Sequence, residues 1–433
     1  MESIKCSSRR HHRVVGTMSE NLQFSANIAI IGGATAGAEA ASRLREAGAF
    51  CVVFEQNDRP DGKVEDGLPM WHHALRNKEY RTIDEKLDQP GISFLPSTGI
   101  GRDITFHELL EDWGFDLILL ANGAWRDRAL PVSGADTYIN RGLVYQNPFI
   151  YWFNHYREAG YDGPTYEVQD GAIVVGGGLA SIDVAKVLQI ETTLKALRER
   201  GIEEDVVELE TKGIPATLTK HDLTWEDLGL EGCTIYYRRR IEDMPLADPP
   251  PNATAEKIAK IESVRVRMLE KARSKLLFKV EPLWSPIGLL TEGDKLAGLR
   301  FARTRLDENG KAAIVPGDVR NADASLVISS IGSIPEPIEG LPMDGELLRL
   351  EDADKGKVVT FENVFGCGNV VTGKGNLVAS RKHSASVASY LAEKVAAVDS
   401  SNTEKISQKA AQRHEAIGYG GYRAWVDAHT PKD

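Results

Sequence analysis

Short, uninterrupted apolar runs followed by small residues recur along the chain. The first covers residues 28–31, precedes Gly32-Gly33-Ala34-Thr35-Ala36-Gly37, and leads into an Ala-rich segment with helical character up to Leu44. A second apolar run, 50–54, ends at the acidic Glu55. Such runs without polar alternation are typical of strands buried on both faces, as in parallel sheets. The pattern predicts a buried strand, a glycine turn, a helix and a second buried strand.

This arrangement is typical of a dinucleotide-binding unit, in which a helix N-terminus faces the pyrophosphate and the terminal acid receives the ribose hydroxyls. Gly32 permits the tight turn, and Gly37 lets the helix pack closely on the strand. Ala34 stands where the backbone approaches the phosphates and where such turns usually carry glycine. We therefore predict a nucleotide at this turn, with Glu55 on its ribose. An ordinary βα turn is the alternative.

The same pattern returns later in the chain. The apolar run 172–175 leads into a Gly-rich turn and a helix from Val184 to about Glu191, and the matching strand follows only at 233–237. The intervening residues 192–232 are charged and are predicted to be a partly helical surface excursion. The second strand ends in three arginines where the first ended in Glu55, and an arginine pair can clamp a 2′-phosphate that an acid would repel. A solvated basic patch is the alternative. The candidate residues of this second nucleotide site are Gly176, Gly178, Leu179, Ala180, Asp183, Arg238 and Arg239.

Further elements are predicted around the two units. Helices are expected at 73–89, 106–113 and 254–277 and from about 372–376 to 398, and strands at 92–95, 99–104, 116–121, 278–280, 296–304, 312–315, 324–332 and 363–369. The strands after 278 are expected to be antiparallel, and the strand at 324–332 is expected to return the chain to the first domain. Residues 1–26 are predicted to be a flexible extension. Residues 401–433 are predicted to be a surface tail or a subunit contact, with a hinge at 418–422.

Composition narrows the possible functions. The chain has 433 residues and a formal net charge of −11, which argues against a general nucleic-acid binder. No apolar run approaches the roughly 18 residues of a membrane span. The four cysteines lie far apart without a CxxC pair, so the chain is expected to hold no iron–sulfur centre, and no metal site is predicted. This cysteine usage is typical of a reducing compartment, and a cytoplasmic location is expected.

Several phrases in the sequence carry a family resemblance. They are Gly67-Leu68-Pro69-Met70-Trp71-His72 with Arg76-Asn77, Gly101-Arg102-Asp103-Ile104, the Ala-x-Gly-Ala turn at 121–124, and Tyr237-Arg238-Arg239 with Met244-Pro245. From about Asn27 to Val398 the chain resembles the two-dinucleotide flavoprotein reductases of the adrenodoxin reductase and glutamate synthase small-subunit branch. The resemblance implies an α/β fold of two Rossmann-like three-layer domains. The NAD(P)-binding domain, 131–333, would be inserted into an FAD-binding domain formed by 27–130 and 334–400.

The resemblance also implies where the cofactors bind, with FAD in the first unit and NAD(P)H in the second. Ala34, Asp61, Asn122 and Asn369 depart from the family pattern. His72 and Glu65 lie on the loop expected near the isoalloxazine, where a hydrogen-bonding or proton-relay role and a structural role are alternatives. The residues expected to contact FAD are Gly32, Ala34, Ala36, Gly37, Glu55, Gly62, Lys63, Gly67, Ala121, Gly123, Gly368, Asn369, Gly375, Asn376 and Leu377.

The function implied by the resemblance is an FAD-dependent NAD(P)H:acceptor oxidoreductase that exchanges electrons with an iron–sulfur partner. This partner could be a ferredoxin or a clustered catalytic subunit, such as that of a tungsten aldehyde oxidoreductase or a glutamate synthase, and the chain could then be part of a hetero-oligomer. One alternative is a self-contained reductase of a small acceptor such as a quinone, and another is a flavin-binding assembly subunit with an idle second site. An acidic partner would dock on a basic face, and the candidate clusters lie at 238–240, 265–275 and 381–382.

Overall fold

The computed structural model describes residues 23–250, 252–373, 376–398 and 400–431. Its first segment forms the predicted strand–helix–strand unit and the elements that follow it. Strands β1 and β2 pair in parallel, and every residue of both is buried. The elements of this segment are β1 (Ala26–Ile31), α1 (Thr35–Glu46), β2 (Ala49–Phe54), α2 (Lys63–Asp66), α3 (His73–Leu87), β3 (Ile92–Leu95), α4 (Phe106–Glu108) and β4 (Leu117–Leu120).

Three predictions in this segment need correction. The N-terminal extension cannot reach residue 26, since Ala26 already begins β1; residues 1–22 lie outside the described part. Residues 99–104 form a tight turn with one bridge between Ile100 and Ile104 rather than paired strands. The helix predicted at 106–113 is α4 followed by a π-helical turn over Leu109–Trp113.

The second segment builds a separate parallel sheet. Its five strands lie in the order β6-β13-β7-β8-β9, beside an antiparallel sheet of β10, β11 and β12. Its strands are β5 (Arg126–Asp127), β6 (Leu143–Tyr145), β7 (Ile173–Gly176), β8 (Thr234–Tyr237), β9 (Lys279–Pro282), β10 (Trp284–Glu292), β11 (Lys295–Leu306), β12 (Ala312–Asp323) and β13 (Val327–Ser330). Its helices are α5 (Gln146–His155), α6 (Leu179–Arg198), α7 (Val206–Lys212), α8 (Ile214–Thr219), α9 (Trp225–Leu228) and α10 (Ala255–Leu276).

Two strand predictions in this segment are wrong. The strand predicted at 278–280 is β9, which pairs in parallel with β8 instead of joining an antiparallel sheet. The strand predicted at 324–332 is β13, which lies between β6 and β7 and so completes the second sheet rather than returning to the first. Both strands have only four residues, and so short a segment does not specify its neighbour in a sheet.

The third segment completes the first sheet. Strand β19 pairs in parallel with β4, which gives the seven-stranded order β17-β18-β19-β4-β1-β2-β3. The elements are β14 (Ser333–Ile334), β15 (Met343–Asp344), β16 (Leu347–Leu348), β17 (Leu350–Asp352), β18 (Lys357–Val358), β19 (Val364–Gly366), α11 (Asn369–Thr372), α12 (Leu377–Val395), α13 (Thr403–Ile417) and α14 (Tyr422–His429). Asn376 caps α12, because its Oδ1 accepts hydrogen bonds from the Val378 and Ala379 amides.

The charged region 192–232 is not a surface excursion. Helix α6 continues through it to Arg198, α7 and α9 pack on α6, and α8 contacts both α7 and α9. Leu197, Leu209, Ile214 and Leu218 are at most 1% exposed and belong to the core of the second sheet. The segment therefore contributes to the interior of this domain.

The C-terminal residues are likewise more than a surface tail. Tyr422 of α14 is 7% exposed and packs into the core of the first sheet, where its hydroxyl donates to Asp84 at 2.8 Å. Ile406 of α13 is fully buried on the other face of that sheet. The predicted hinge is the turn between the two helices, where Gly418 and Gly421 have φ of +70° and +109°.

Candidate functional site

A cleft opens where β1, β2 and β4 end at the edge of the first sheet. Parallel strands place their carboxyl ends at one edge, which is where ligands bind in open α/β sheets. Glu336 and Ile338, which follow β14, form part of its wall. The predicted FAD residues that line the cleft are Gly32, Ala34, Ala36, Glu55, Gly62, Lys63, Ala121, Gly123, Asn369 and Leu377.

Four of the other predicted FAD residues, Gly37, Gly67, Gly368 and Asn376, are described but do not line this cleft. A Cβ on Gly37 would lie 1.8 Å from the Gly32 carbonyl oxygen, so Gly37 permits the contact between α1 and β1. A Cβ on Gly368 would lie 2.6 Å from the Ala36 Cβ. Gly67 lines a neighbouring pocket, and Gly375 lies outside the described residues. As contacts to FAD, all these residues stay predictions.

Glu55 is buried at the end of β2 and faces the glycine turn. Its Oε2 accepts a hydrogen bond from the Gly33 amide at 2.8 Å, and its Oε1 accepts one from the Asn57 amide at 3.0 Å. Burial raises the pKa of Glu55 to about 7, although the backbone hydrogen bonds oppose the shift. Burial also raises the pKa of Asp61 to about 7, against the opposing charge of Arg59. With a pKa of about 7, each of these carboxyl groups is protonated far more readily than an exposed one.

Unpaired polar groups in the cleft test whether a flavin nucleotide fits there. Among the described residues, the buried Thr35 Oγ1 and Asn122 Oδ1 have no hydrogen-bond partner, and both residues line the cleft. Helix α1 begins after Ala34, which offers no side-chain cap, and its first turn carries no acidic residue. An uncapped helix N-terminus leaves amide donors for an anion. These residues fit a nucleotide that brings a pyrophosphate and several hydroxyl groups.

Lys63 joins this cleft to the second domain. Its Nζ donates to Asn147 Oδ1 at 2.9 Å and to Ser333 Oγ at 3.2 Å, and it lies 5.6 Å from the centre of the Trp125 ring. Burial lowers the pKa of Lys63 to about 8, although Asp127 and Asp66 oppose this shift. Sequence reasoning selected Lys63 but missed Trp125 and Asn147, because neither belongs to a glycine motif.

The second glycine turn has the same construction. Helix α6 begins after Gly178 with no side-chain cap and no acidic residue in its first turn. Gly177 faces the Tyr237 ring at the end of β8, where an added Cβ would lie 2.2 Å from that ring. Leu179 is exposed and Ala180 half-buried at the helix start. The turn and the end of β8 therefore meet, as a nucleotide site requires.

The three arginines after β8 have different surroundings. Arg240 is held by Asp243, with its Nε 3.0 Å from Asp243 Oδ2, and Glu262 lies 3.7 Å from its Nη2. Arg239 lies 3.5 Å from Asp243, and its buried Nε has no partner among the described residues. Arg238 is exposed and makes no ion pair within the described part of the chain. Arg238 and Arg239 thus keep donors for a ligand.

His72 and Glu65 occupy different environments. His72 Nε2 lies 3.9 Å from Asp183 Oδ1 in the second turn of α6, so the loop after α2 reaches the second domain. Glu65 contacts Arg59 and Arg76 and accepts a hydrogen bond from the Tyr80 hydroxyl. These partners hold Glu65 in an ion network. Its role beside the flavin stays a prediction.

The described cysteines are buried core residues. Burial raises the pKa of the Cys51 and Cys367 thiols to about 12, and Cys233 is equally buried, so none is a reactive thiolate. Among the described residues, no helix is long and apolar enough to cross a lipid bilayer.

Comparisons with known proteins agree with this geometry. No family model matches the chain. The chain is 26% identical to the NADPH-ferredoxin reductase FprA of Mycobacterium leprae over 89% of its length and 87% of that protein. It is 23% identical to the mitochondrial NADPH:adrenodoxin oxidoreductase of Arabidopsis thaliana over 83% and 80%. The small chain of NADPH glutamate synthase from Mycobacterium tuberculosis is 32% identical over 36% of this chain and 32% of its own.

A solved structure supports the fold. FprA of Mycobacterium tuberculosis in complex with NADPH superposes with a TM-score of 0.66 at 21% identity, over 90% of each chain. The fold is α/β with two Rossmann-like domains, as the sequence predicted. The chain's homologues are the two-dinucleotide reductases of the adrenodoxin reductase and glutamate synthase small-subunit branch. These relatives confirm the predicted class, an FAD-dependent NAD(P)H oxidoreductase, and bear out the predicted resemblance to this branch.

Proposed function

We propose that this protein is an NADPH:acceptor oxidoreductase that takes hydride from NADPH and passes single electrons to an iron–sulfur protein. One observation carries the proposal: two uncapped glycine-turn helices occur in one chain, and the loop beside the first contacts the second through His72 and Asp183. FAD, when bound, accepts two electrons at once and can release them one at a time. The chain's part is to hold both nucleotides and bring their reactive ends together.

Each domain has residues suited to its nucleotide. The α1 N-terminus would receive the FAD pyrophosphate, and Glu55 would receive its ribose. Lys63 would receive negative charge in the cleft. The α6 N-terminus would receive the NADPH pyrophosphate, with Arg238 and Arg239 on the 2′-phosphate. The intact second turn argues against an assembly subunit with an idle second site.

The flavin is the first test. The purified chain is expected to carry non-covalent FAD, because its cleft offers hydrogen-bond partners for an entire dinucleotide. Denaturation followed by chromatography of the released chromophore measures both the identity and the stoichiometry of the flavin. A well-folded sample that releases FMN, or no flavin, would show that the cleft does not hold FAD.

The relatives suggest the electron partner, since two of them are named as reductases of ferredoxin and adrenodoxin. Ion pairs in the structure reduce the number of cations that are candidates for the basic docking face proposed from the sequence. Arg381 is paired with Glu79, Arg273 with Glu270, and Lys275 lies 3.6 Å from Glu210. The cations of the three predicted clusters that are exposed and make no ion pair within the described part are Arg238, Arg267, Lys271 and Lys382. We propose a cytoplasmic location, which fits the three buried, unpaired cysteines.

Electron transfer to an acidic iron–sulfur protein is expected to slow as ionic strength rises. The Debye length falls from about 30 Å at 0.01 M to about 10 Å at 0.1 M, so long-range attraction is screened. Stopped-flow reduction of candidate ferredoxins by NADPH, with this chain as catalyst, measures the effect across a salt series. Co-purification is checked first, because a permanent subunit contact would be insensitive to salt.

The same assay separates the alternative acceptor. Fast, salt-insensitive reduction of a quinone, together with no reduction of any iron–sulfur protein, would favour the self-contained reductase. A matched variant pair sharpens the docking test: Lys382→Ala removes an exposed cation, whereas Lys355→Ala removes a cation that is paired with Asp352 at 3.0 Å. Only the first is expected to weaken the dependence on salt.

A further inference from the structure

Asn147, at the start of α5, touches both connections between the two domains. Its Nδ2 donates to the Trp125 carbonyl in the outgoing connection at 2.8 Å and to Ser333 Oγ in the returning one at 3.0 Å. The two connections also pair with each other as the short antiparallel ribbon of β5 and β14. The side-chain amide of Asn147 therefore links α5 to both connections, and its hydrogen bonds depend on the relative position of these three segments.

The oxygen of the same amide holds the cation of the first cleft. Asn147 Oδ1 accepts from Lys63 Nζ at 2.9 Å, and Ser333 Oγ is the other described partner of this ammonium group. Both partners are neutral, and Lys63 is half-buried where it lines the cleft. The charges of Asp127 and Asp66 act on Lys63, but no salt bridge pairs it with a carboxylate in the described part of the chain. A partly buried charge without a contacting counter-ion is costly, and it is kept where a ligand supplies the opposite charge. Lys63 is placed to receive an anion.

The backbone of Asn147 is fixed by the same outgoing connection. Its amide donates to the two carboxylate oxygens of Asp127 in β5, at 3.3 and 3.2 Å. A rotation of the second domain about the β5–β14 ribbon would move α5 and so remove Asn147 Oδ1 from Lys63. The position of the cation in the first cleft would then depend on the orientation of the second domain.

We propose that Asn147 is a positioning residue that couples nucleotide binding in the first cleft to the orientation of the second domain through Lys63. This inference rests on the proposed function, in that the first cleft takes FAD and the second takes NADP(H). If NADP⁺ favours the orientation in which Asn147 holds Lys63, it tightens FAD binding, and FAD tightens NADP⁺ binding by the same factor. Asn147 contacts neither glycine turn, so its effect on NADP⁺ is indirect.

The test compares two asparagines on one helix. Asn154 lies seven residues along α5 and also crosses between the domains, because its Nδ2 donates to the Glu65 and Leu68 carbonyls at 2.9 Å. It contacts neither Lys63 nor the two connections. Asn147→Leu and Asn154→Leu therefore remove similar interdomain hydrogen bonds, but only the first releases Lys63. Thermal unfolding of both apoproteins checks that they fold.

Equilibrium FAD titration of each apoprotein, with and without saturating NADP⁺, gives the coupling factor without any turnover. In the parent chain NADP⁺ is expected to tighten FAD binding about fivefold or more. Asn147→Leu should weaken FAD binding about tenfold and bring the coupling factor to one, since a hydrogen bond to a charged group is lost. Asn154→Leu should keep the parent factor. Ser333→Ala should lie between, because Lys63 then keeps Asn147 alone.

Several outcomes would overturn the inference. They are a parent chain that binds FAD with a coupling factor of one, an Asn147→Leu protein that keeps the parent factor, and equal losses in both asparagine variants. A parent apoprotein that is folded but does not bind FAD would instead overturn the proposed function itself. The two failures are therefore distinguishable.

Discussion

Replacing Arg238 and Arg239 together by alanine is expected to raise the KM for NADPH at least about tenfold more than the KM for NADH. Each charge-assisted hydrogen bond to a 2′-phosphate contributes roughly 1.5–3 kcal/mol, and NADH lacks that phosphate. The structure supports the choice of these two residues, because Arg238 is exposed without an ion pair among the described residues and Arg239 keeps an unpaired Nε. Steady-state kinetics with both cofactors measures the effect.

Arg240 supplies the matched control for this experiment. It belongs to the same arginine run, but its guanidinium is held by Asp243 at 3.0 Å. Arg240→Ala is therefore expected to change the two KM values by similar, small factors. Equal increases for NADPH and NADH in the double variant would mean that the arginines form a solvated face or bind the part that the two cofactors share.

The two nucleotide units could be predicted because their signals are local. The strand, turn and helix are contiguous, and Gly37 was expected to allow close packing; the Cβ position only 1.8 Å from the Gly32 oxygen shows why the residue is glycine. Both helices begin without a side-chain cap, as a phosphate-facing helix should. A motif defined by a few consecutive residues adopts the predicted local structure in the folded protein.

The wrong predictions concern segments that are buried by distant partners. Residues 192–232 are rich in charge, yet Leu209 of α7 and Leu218 of α8 are buried in the same apolar core as α6. Tyr422 lies in a polar C-terminal stretch and becomes buried against Phe94, with ring centroids 5.3 Å apart. Average polarity was misleading in both segments, because a few apolar side chains on one face suffice to dock a helix.

The interdomain residues could not have been found from motifs. Asn147 and Trp125 lie more than twenty residues after α3 ends and belong to neither glycine turn. They reach Lys63 only because α5 and the two connections converge at the edge of the first cleft. Of these residues the sequence indicated only Lys63, and it did so through the family resemblance.

Replacing Gly37 by alanine is expected to lower the free energy of unfolding of the first domain by about 3 kcal/mol or more and to abolish FAD retention. The added methyl group would lie 1.8 Å from the backbone oxygen of Gly32, so α1 must move away from β1 and carry its N-terminus out of the cleft. Thermal unfolding and the flavin-to-protein absorbance ratio measure both effects. Gly420→Ala is the control, because the nearest atom to its new Cβ would be 4.0 Å away, and unchanged stability is expected. A Gly37→Ala protein that unfolds at the parent temperature with a full complement of FAD would show that α1 can shift on β1 without cost. In that case the close contact between turn and helix would not be what positions the pyrophosphate site.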